Sequence, residues 1–226
     1  MIVPAALDWS SIDTVLLDMD GTLLDLHFDS FFWLEHLPLR YADIHQLDPA
    51  EAKRWLHERI MQEQGTLNWY CLDYWSRELD VDIVALKREV TERIAFRPHV
   101  KDFLSQLKVH DKRAVIVTNA HRGSLMLKLE KTDLAERVDH IICSHDYGVP
   151  KEVQAFWQRL QQEEPFDPER TLLVDDSLAV LRAAQTYGIR YLLSIVQPDS
   201  QSPKREIAEF TAIDRFSSIT PGGDDE

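Results

Sequence analysis

The stretch Leu16–Thr22, Leu-Leu-Asp-Met-Asp-Gly-Thr, carries the strongest signal for fold and chemistry in this chain. Thr14–Leu17, which overlaps the start of this stretch, consists of β-branched or aliphatic residues and is soon followed by the turn-forming Gly21. This pattern predicts a buried strand. Asp18 and Asp20 are two residues apart, the period with which side chains repeat on an extended chain. Both carboxylates can therefore leave the strand's carboxyl end on one side, which is where ligands bind in open α/β sheets.

The size and charge of the chain limit its architecture and its partners. With 226 residues it can bury a substantial core and form one domain plus a smaller inserted or appended one. Its net charge of -14 argues against nucleic acid and against an anionic membrane surface as partners. A phosphorylated substrate would therefore need local positive charge or a metal ion at its binding site.

Three features predict a soluble cytoplasmic protein. Cys71 and Cys143 are far apart and form no redox or metal-ligand pair, which indicates buried thiols in a reducing compartment. The segment Met1–Trp9 has neither a basic region nor a sustained apolar run, so we expect no signal peptide. No apolar stretch approaches the length that spans a bilayer.

Residues 25–96 contain no second strand-like run and predict an all-helical insert. Asp48-Pro49 is a typical helix start, with an N-cap residue followed by proline at the first position. Apolar residues recur at helical spacing in three stripes, which predict three or four helices. The stripes are Ala52, Trp55, Leu56 and Ile60; Leu67, Tyr70, Cys71, Tyr74 and Trp75; and Ile83, Leu86, Val90 and Ile94.

From Arg97-Pro98 onward, strand-like and helix-like segments alternate, which predicts parallel βαβ units and an α/β fold. The core then comprises residues 1–24 and 97–216, and we expect residues 217–226, rich in Pro, Gly and acids, to form a flexible tail. The predicted strands are Ala114–Val117, Val138–Cys143, Thr171–Val174 and Arg190–Val196, and the predicted helices are Val100–Leu107, Ser124–Lys131, Glu152–Gln162 and Ser177–Tyr187.

Polar residues follow the other predicted strands as well. Thr118 and Asn119 follow one strand and offer a hydroxyl and backbone amides, while Asp175 and Asp176 follow another. Lys151 is expected to open a helix, whose N-terminus would reinforce its attraction for an anion. Each residue alone is more typical of a turn, a helix cap or a solvated surface, so the prediction depends on their combination.

The combination suits phosphoryl transfer. A carboxylate can attack phosphorus and form an aspartyl-phosphate, but it repels a phosphate dianion unless a divalent metal ion lies between them. Mg²⁺ prefers a few carboxylates plus phosphate oxygens, and aspartates at strand ends meet that need. Lys151 adds a compact cation that can hold the phosphate charge.

In order and spacing, Asp18–Thr22, Thr118, Lys151 and Asp175-Asp176 resemble the four motifs of the haloacid dehalogenase-like (HAD) phosphatase superfamily. The resemblance covers nearly the whole chain. It implies a Rossmann-like parallel-sheet core, an all-helical cap inserted after the first motif, and Mg²⁺ as the cofactor.

The resemblance also implies catalytic and phosphate-binding roles. Asp18 would be the nucleophile and Asp20 the general acid and base. Thr118, with Asn119 beside it, would bind phosphate, and Lys151 would steady both the nucleophile and the phosphate.

For the metal ion, the resemblance implies Asp18, Asp20, Asp175 and Asp176 as the ligand set, with Asp176 the more direct ligand of the last two. Some members of the superfamily carry another acid a few residues later, where this chain has Ala179–Leu181. We therefore expect the metal site to be kept and its surroundings to differ.

Asp20 separates subclasses of that superfamily. Dehalogenases release a halide and need no proton donor, whereas a phosphate ester leaves as an alkoxide, and a donor at this position lowers the barrier. Phosphonatases use a cap lysine as a Schiff base; Lys53 and Lys87 lie in the insert, but both stand in charged helical runs and are expected to be solvated. β-Phosphoglucomutase-like phosphomutases share Asp20 and stay open as an alternative.

The cap segment 65–75, Gly-Thr-Leu-Asn-Trp-Tyr-Cys-Leu-Asp-Tyr-Trp, is apolar on two helical faces. One face satisfies packing, and the other, with Asn68 and Trp69, could look into the active site. Together with Asp25-Leu26, this segment resembles bacterial GMP/IMP nucleotidases of the superfamily. That resemblance implies a 5'-nucleotidase for purine monophosphates, with Asn68 and Trp69 at the substrate.

Two other functions stay open at this point. One is a phosphatase for sugar phosphates or phosphoglycolate, in which the cap aromatics would be purely structural. The other is a sensor or scaffold without activity, which the filled catalytic positions disfavour. The expected partner is a small phosphate ester, and the expected assembly is a monomer or a weak dimer.

Overall fold

The computed structural model describes residues 7–222, and its core is one parallel sheet of six strands. The strands follow the order β3-β2-β1-β4-β5-β6 across the sheet. Strand order reverses between β1 and β4, the kind of switch point at which open α/β sheets bind ligands. The strands are β1 Thr14–Leu17, β2 Arg113–Thr118, β3 His140–Cys143, β4 Thr171–Val174, β5 Tyr191–Ile195 and β6 Thr211–Ile213.

The helices lie in two groups, the first within the insert and the second against the sheet. Those of the insert are α1 His27–Phe31, α2 Leu37–His45, α3 Pro49–Met61, α4 Leu72–Leu79 and α5 Ile83–Arg88. Those of the core are α6 Val100–Val109, α7 Arg122–Lys131, α8 Ser144–Tyr147, α9 Gln154–Glu163 and α10 Leu178–Tyr187.

Both faces of the sheet are covered, because successive residues of a strand point to opposite sides. In β1, Val15 and Leu17 belong to the apolar cluster that includes residues of α6 and α7, whereas Leu16 belongs to the cluster that includes residues of α9 and α10. β1 is buried along its whole length, which fits the continuous apolar run in its sequence. The Rossmann-like α/β class predicted from the sequence is thus observed.

The insert has an apolar core of its own. Asp48 caps α3 by accepting the backbone N–H groups of Ala50 and Glu51, as its sequence predicts. A π-helical turn, Phe32–His36, joins α1 and α2 into one continuous run. The buried residues at its centre are Phe28, Phe32, Leu37, Leu56, Leu72, Trp75, Leu79, Ile83, Leu86 and Val90.

The two segments that link the insert to the core lie side by side. Asp25 donates its N–H to the carbonyl of Ala95 at 2.9 Å, and Arg97 donates its N–H to the carbonyl of Leu23 at 3.0 Å. Because these paired links bracket a separately packed helical unit, we propose residues 25–96 as a cap domain. Among residues 7–222, no helix is long and apolar enough to cross a membrane.

The structure also differs from the sequence predictions outside the site. Among the described residues, the insert has five α-helices where the sequence predicts three or four. β6 was not predicted, since three residues carry too little pattern. Lys151 does not open a helix but lies in a turn before α9, which begins at Gln154. Cys143 is buried as expected, but Cys71 is only half-buried. In the predicted flexible tail, Ile219 is 4% exposed and belongs to the core cluster, so residues 217–222 are held by packing.

Two predictions extend beyond residues 7–222. The tail prediction for residues 223–226 lies outside the described residues. The prediction of no signal peptide likewise concerns a segment whose residues 1–6 lie outside them.

Candidate active site

The carboxyl ends of β1, β2 and β4 bring the predicted motif residues together around Lys151. Its ammonium Nζ lies 2.6 Å from Oδ1 of Asp18 and 2.7 Å from Oδ2 of Asp175, and it donates to the carbonyl of Val117 at 2.9 Å. All three donors of the ammonium are thereby used. Burial lowers the pKa of Lys151, but the charges of Asp175 and Asp18 outweigh that effect and raise it above its ordinary value.

The turn that carries Lys151 is fixed by two neighbouring side chains. Asn119 accepts the backbone N–H of Lys151 at 2.9 Å and donates its amide to Glu152 at 2.9 Å. Trp157 donates its indole N–H to the carbonyl of Lys151 at 2.8 Å. The side chain of Asn119 is thus engaged within the protein and holds the turn of Lys151 against the end of β2.

Thr118 ends β2 and is 1% exposed. Its hydroxyl oxygen accepts the N–H of Ala120 at 3.0 Å, which leaves the hydroxyl hydrogen free to donate. The structure thus brings Thr118, Asn119 and Lys151 together beside Asp18, as the motif pattern predicts.

Three carboxylates converge next to Lys151. Oxygens of Asp18, Asp175 and Asp176 lie within 4.8 Å of one another. Asp175 is already bound on both oxygens, by Lys151 and by the N–H of Ser177 at 2.8 Å. Oδ2 of Asp18, by contrast, is buried without a hydrogen-bond partner among residues 7–222. A hard divalent cation bound by oxygens would satisfy it, so the residues present fit Mg²⁺.

The raised pKa values of these carboxylates also favour a bound cation. Burial raises the pKa of Asp18 to about 6, against the opposing charge of Lys151. Burial and the charges of Asp18 and Asp175 raise the pKa of Asp176 well above its ordinary value. One ammonium among three carboxylates, two buried and one half-buried, leaves excess negative charge, which a divalent cation would neutralise.

Asp20 lies apart from this cluster. Its Oδ1 accepts a hydrogen bond from Nζ of Lys128 at 2.6 Å, and its carboxylate is not among the three that converge. Burial raises the pKa of Asp20 to about 6; Lys128 opposes the shift, and the charge of Asp29 adds to it. The structure therefore does not support the Asp20 side chain as a metal ligand, because Lys128 holds it elsewhere.

A cavity of about 780 Å³ lies between the core and the cap. Its core wall contains the motif residues, and its cap wall is aromatic and cationic. The core side includes Asp18, Asp20, Thr118, Asn119, Lys151, Asp175 and Asp176, and the cap side includes Trp33, Arg54, His57, Trp69 and Tyr70.

A family model for haloacid dehalogenase-like hydrolases matches residues 12–188. The chain belongs to this family. It is 40% identical over 213 residues to "GMP/IMP nucleotidase YrfG" of Escherichia coli (strain K12), which covers 94% of this chain and 96% of that protein. The same identity and coverage hold for the protein of that name from Shigella flexneri.

Solved structures show the same fold. A HAD phosphatase from Thermococcus onnurineus superposes with a TM-score of 0.78 at 19% identity, over 94% of this chain and 99% of that one. The HAD-hydrolase YfnB from Bacillus subtilis gives a TM-score of 0.64 at 20% identity, over 91% and 96% of the two chains. The resemblance that the four motifs indicate is confirmed, and this HAD-like chain is a hydrolase.

The sequence prediction for Asn68 in this HAD-like hydrolase is wrong. Its side chain is exposed and donates to Glu63 at 3.2 Å, outside the cavity, whereas Trp69 lines the cavity. The expected helical stripe is broken here, since a 3₁₀ turn, Leu67–Tyr70, ends before α4 begins at Leu72. That break changes which side chains share a face.

Three charged residues beside the site were missed. Lys128 and Asp29 were not singled out, and Lys87 was expected to be solvated, yet the side chain of Lys87 is 1% exposed and paired with Asp29 at 2.5 Å. The burial of Lys128 could have been predicted, because Lys128 lies on the same buried side of α7 as Ser124 and Leu125. Lysine is rarely buried without a partner, so such a position indicates an ion pair.

Lys53 behaves as the sequence predicts. Its side chain is 50% exposed and pairs with Glu35 at 2.7 Å.

Proposed function

We propose that this HAD-like hydrolase is a Mg²⁺-dependent 5'-nucleotidase that dephosphorylates purine monophosphates such as GMP and IMP through an aspartyl-phosphate on Asp18. The observation that carries the proposal is the cavity, which joins the carboxylates beside Lys151 to an aromatic cap wall. Its volume of about 780 Å³ falls in the range of small-molecule sites. The relative named as a GMP/IMP nucleotidase supports the choice of substrate.

The first half of the reaction transfers the phosphoryl group to the protein. The hydroxyl of Thr118 binds a phosphate oxygen, the positive charge of Lys151 attracts the phosphate, and a carboxylate oxygen of Asp18 attacks phosphorus. The new bond joins Asp18 to phosphorus while the bond from phosphorus to the ribose O5' breaks. Asp20, whose pKa is raised to about 6 by burial, gives its proton to O5', so the nucleoside leaves as an alcohol.

The second half releases phosphate. A water molecule attacks phosphorus, and the Asp20 carboxylate takes its proton. The bond from Asp18 to phosphorus breaks, so that inorganic phosphate leaves and the Asp18 carboxylate and the acid form of Asp20 are restored. Lys151 stays paired to Asp18 and Asp175 and holds the carboxylates in place throughout.

Mg²⁺ is the proposed cofactor. Asp18 and Asp176 would hold it, since both oxygens of Asp175 are engaged by protein groups. When bound, the ion supplies neutralising charge between carboxylates and phosphate.

The cap wall suits a purine with an oxygen at position 6. Trp69 lines the cavity and offers a ring on which a base can stack. Arg54 lines the same wall. A guanidinium donates to both O6 and N7 of guanine, an edge that hypoxanthine shares, whereas adenine presents an amino donor in place of O6.

A substrate panel tests this function. Purified protein with Mg²⁺ should release phosphate from GMP and IMP faster than from AMP, glucose 6-phosphate or phosphoglycolate, and EDTA should abolish the release. Preference for a sugar phosphate or phosphoglycolate would instead support the general phosphatase. Isomerisation of a sugar phosphate without net phosphate release would support the phosphomutase.

We also propose a cytoplasmic location and a monomeric or weakly dimeric state. The free thiols of Cys71 and Cys143 are compatible with a reducing compartment.

A further inference from the structure

Four charged side chains form a chain of ion pairs that begins at Asp20. Nζ of Lys128 lies 2.6 Å from Oδ1 of Asp20 and 2.7 Å from Oδ2 of Asp29, and Nζ of Lys87 lies 2.5 Å from Oδ1 of Asp29. The side chains of Lys128 and Lys87 are 2% and 1% exposed, and those of Asp20 and Asp29 are 20% and 18% exposed. We refer to these four residues as the ion-pair chain.

The ion-pair chain crosses the boundary between core and cap. Asp20 follows β1 and Lys128 belongs to α7, both in the core, whereas Asp29 belongs to α1 and Lys87 to α5, both in the cap. The contact between Lys128 and Asp29 therefore exists only while the cap packs on the core. The proposed general acid is in this way tied to the position of the cap.

The ion-pair chain is balanced in charge, and aromatic rings border its two ammonium groups. Two ammonium groups face two carboxylates, so no net charge is buried, and a buried charge is costly unless it is paired. The ring of Phe28 lies 4.7 Å from Nζ of Lys87 and 5.4 Å from Nζ of Lys128. Rings at such distances stabilise a cation and also exclude water from it. The four side chains thus hold one another in a fixed arrangement.

We propose that Lys128 and Asp29 are positioning residues for Asp20, which hold the general acid for proton transfer to the leaving oxygen when the cap is in place. This inference rests on the proposed function. Lys128 binds Oδ1 of Asp20, so the lysine does not occupy Oδ2, and Asp20 lines the cavity. Asp29 anchors the far side of the ammonium, so that a long and otherwise mobile lysine presents one geometry to Asp20.

The dependence of rate on the leaving group separates positioning from a merely structural role. A nucleoside alkoxide needs a proton from Asp20, whereas p-nitrophenolate leaves without one. In Asp29→Asn and in Lys128→Met, we expect kcat/KM for GMP to fall by roughly 10- to 100-fold, less than the roughly 100- to 10,000-fold that a general acid contributes, because Asp20 is displaced and not removed. The kcat/KM for p-nitrophenyl phosphate should change by about threefold or less, because it reports the steps up to release of the leaving group, and p-nitrophenolate needs no proton there.

A matched control comes from an exposed ion pair across the same boundary. Arg88 of the cap and Glu130 of the core lie 2.8 Å apart, with side chains 57% and 45% exposed. Glu130→Gln removes this pair without reaching Asp20, and it should leave the ratio of the two rates unchanged. Equal losses on both substrates in the Asp29 and Lys128 variants would overturn the inference.

Two further variants guard against misfolding. Asp29→Asn leaves Lys87 without its buried partner, so Asp29→Asn with Lys87→Met removes both cap charges together, and its thermal melting reports on folding. The selective loss on GMP should persist in this double variant, and a rate on GMP like that of the wild type would refute the inference. Adding Asp29→Asn to Asp20→Asn should cost nothing further, because Asp29 acts through Asp20.

The ratio of alkyl to aryl phosphate rates does not depend on which alkyl phosphate is the natural substrate. Any alkyl phosphate that the wild type hydrolyses can replace GMP, because the comparison concerns the leaving group. A wild type that prefers glucose 6-phosphate would thus count against the nucleotidase proposal, and the ratio of alkyl to aryl rates would still decide the role of the ion-pair chain.

Discussion

Gly21 lies so close to Asp176 that a side chain at Gly21 would press on the Asp176 carboxylate. A Cβ atom at Gly21 would be 3.0 Å from both Cγ and Oδ2 of Asp176, and the backbone of Gly21 has a φ of 85°. Glycine is therefore favoured there for two reasons, the left-handed backbone and the close approach to the carboxylate. The turn after β1 is thus shaped around the carboxylate that we propose as a metal ligand.

Gly21→Ala should weaken Mg²⁺ binding, because the added methyl group displaces the Asp176 carboxylate. Gly65→Ala is a matched control, since Gly65 has the same φ of 85° and nothing within 4 Å of an added Cβ. Both variants bear a similar backbone cost of roughly 1–2 kcal/mol. Only Gly21→Ala should need more Mg²⁺ for half-maximal activity, and an equal requirement in both would show that the contact with Asp176 is unimportant.

Asp18→Asn and Asp20→Asn should fail at different steps. Asparagine at position 18 keeps the shape but lacks the nucleophilic charge, so no phosphoryl-protein forms and turnover is lost on every substrate. Asparagine at position 20 cannot give or take the proton, so turnover of GMP should fall by roughly 100- to 10,000-fold while phosphate binding persists. Single-turnover assays with GMP and p-nitrophenyl phosphate distinguish the two, and wild-type turnover in Asp18→Asn would contradict the mechanism.

Mg²⁺ should stabilise the protein more at about pH 8 than at about pH 5. Burial raises the pKa of Asp18 to about 6 and that of Asp176 well above its ordinary value, so the metal-free fold favours their protonated forms. Their contribution to stability is fully present below the ordinary carboxyl pKa and is lost as pH rises through about 6. Above that pH, the ionised carboxylates repel one another until a cation binds.

Thermal melting with Mg²⁺ or EDTA measures this effect. At 100 times Kd, a ligand adds about 2.7 kcal/mol. Each kcal/mol raises Tm by ~2–4 °C in a protein of this size. In Asp176→Asn the Mg²⁺ effect should largely disappear, and an EDTA effect of equal size at both pH values would tell against the carboxylate cluster as the metal site.

The sequence predicts those parts of the site that follow from strand ends. Asp18, Thr118 and Asp175 each lie at or directly after a short apolar run, and parallel strands bring such positions to one edge of a sheet. Lys151 was placed by its motif, although the structure puts it in a turn rather than at a helix start. The core could therefore be predicted from local pattern and from the order of the motifs.

The cap could be predicted only in outline. Apolar stripes reveal its helices, but the break before Leu72 shifts the helical phase and moves Asn68 out of the cavity. Lys87, Asp29 and Lys128 lie far apart in the chain, and the burial of a lysine depends on a carboxylate that tertiary packing brings to it. Patterns along the sequence can indicate that a lysine is buried, but they do not identify the carboxylate that pairs with it.

Arg54→Met should narrow the preference for GMP over AMP. A guanidinium pairs with O6 and N7 of a 6-oxopurine, and a bidentate contact of this kind is worth about 1–3 kcal/mol of discrimination. The loss should appear as a lower ratio of kcat/KM for GMP to that for AMP. Arg77→Met is the matched control, because Arg77 is an exposed arginine on α4 of the cap and is not among the residues that line the cavity. An unchanged ratio in Arg54→Met would exclude this side chain from base recognition.

Trp69→Ala should raise KM for GMP far more than KM for p-nitrophenyl phosphate. The indole lines the cavity, and stacking of a base on an aromatic side chain contributes about 1–3 kcal/mol, or roughly 5- to 150-fold in affinity. A small aryl phosphate has no purine to stack at that distance from phosphorus. Asn68→Ala is the matched control, because the adjacent side chain is exposed and bonded to Glu63. Equal changes in KM for both substrates in Trp69→Ala would make the cap a generic cover rather than a purine site.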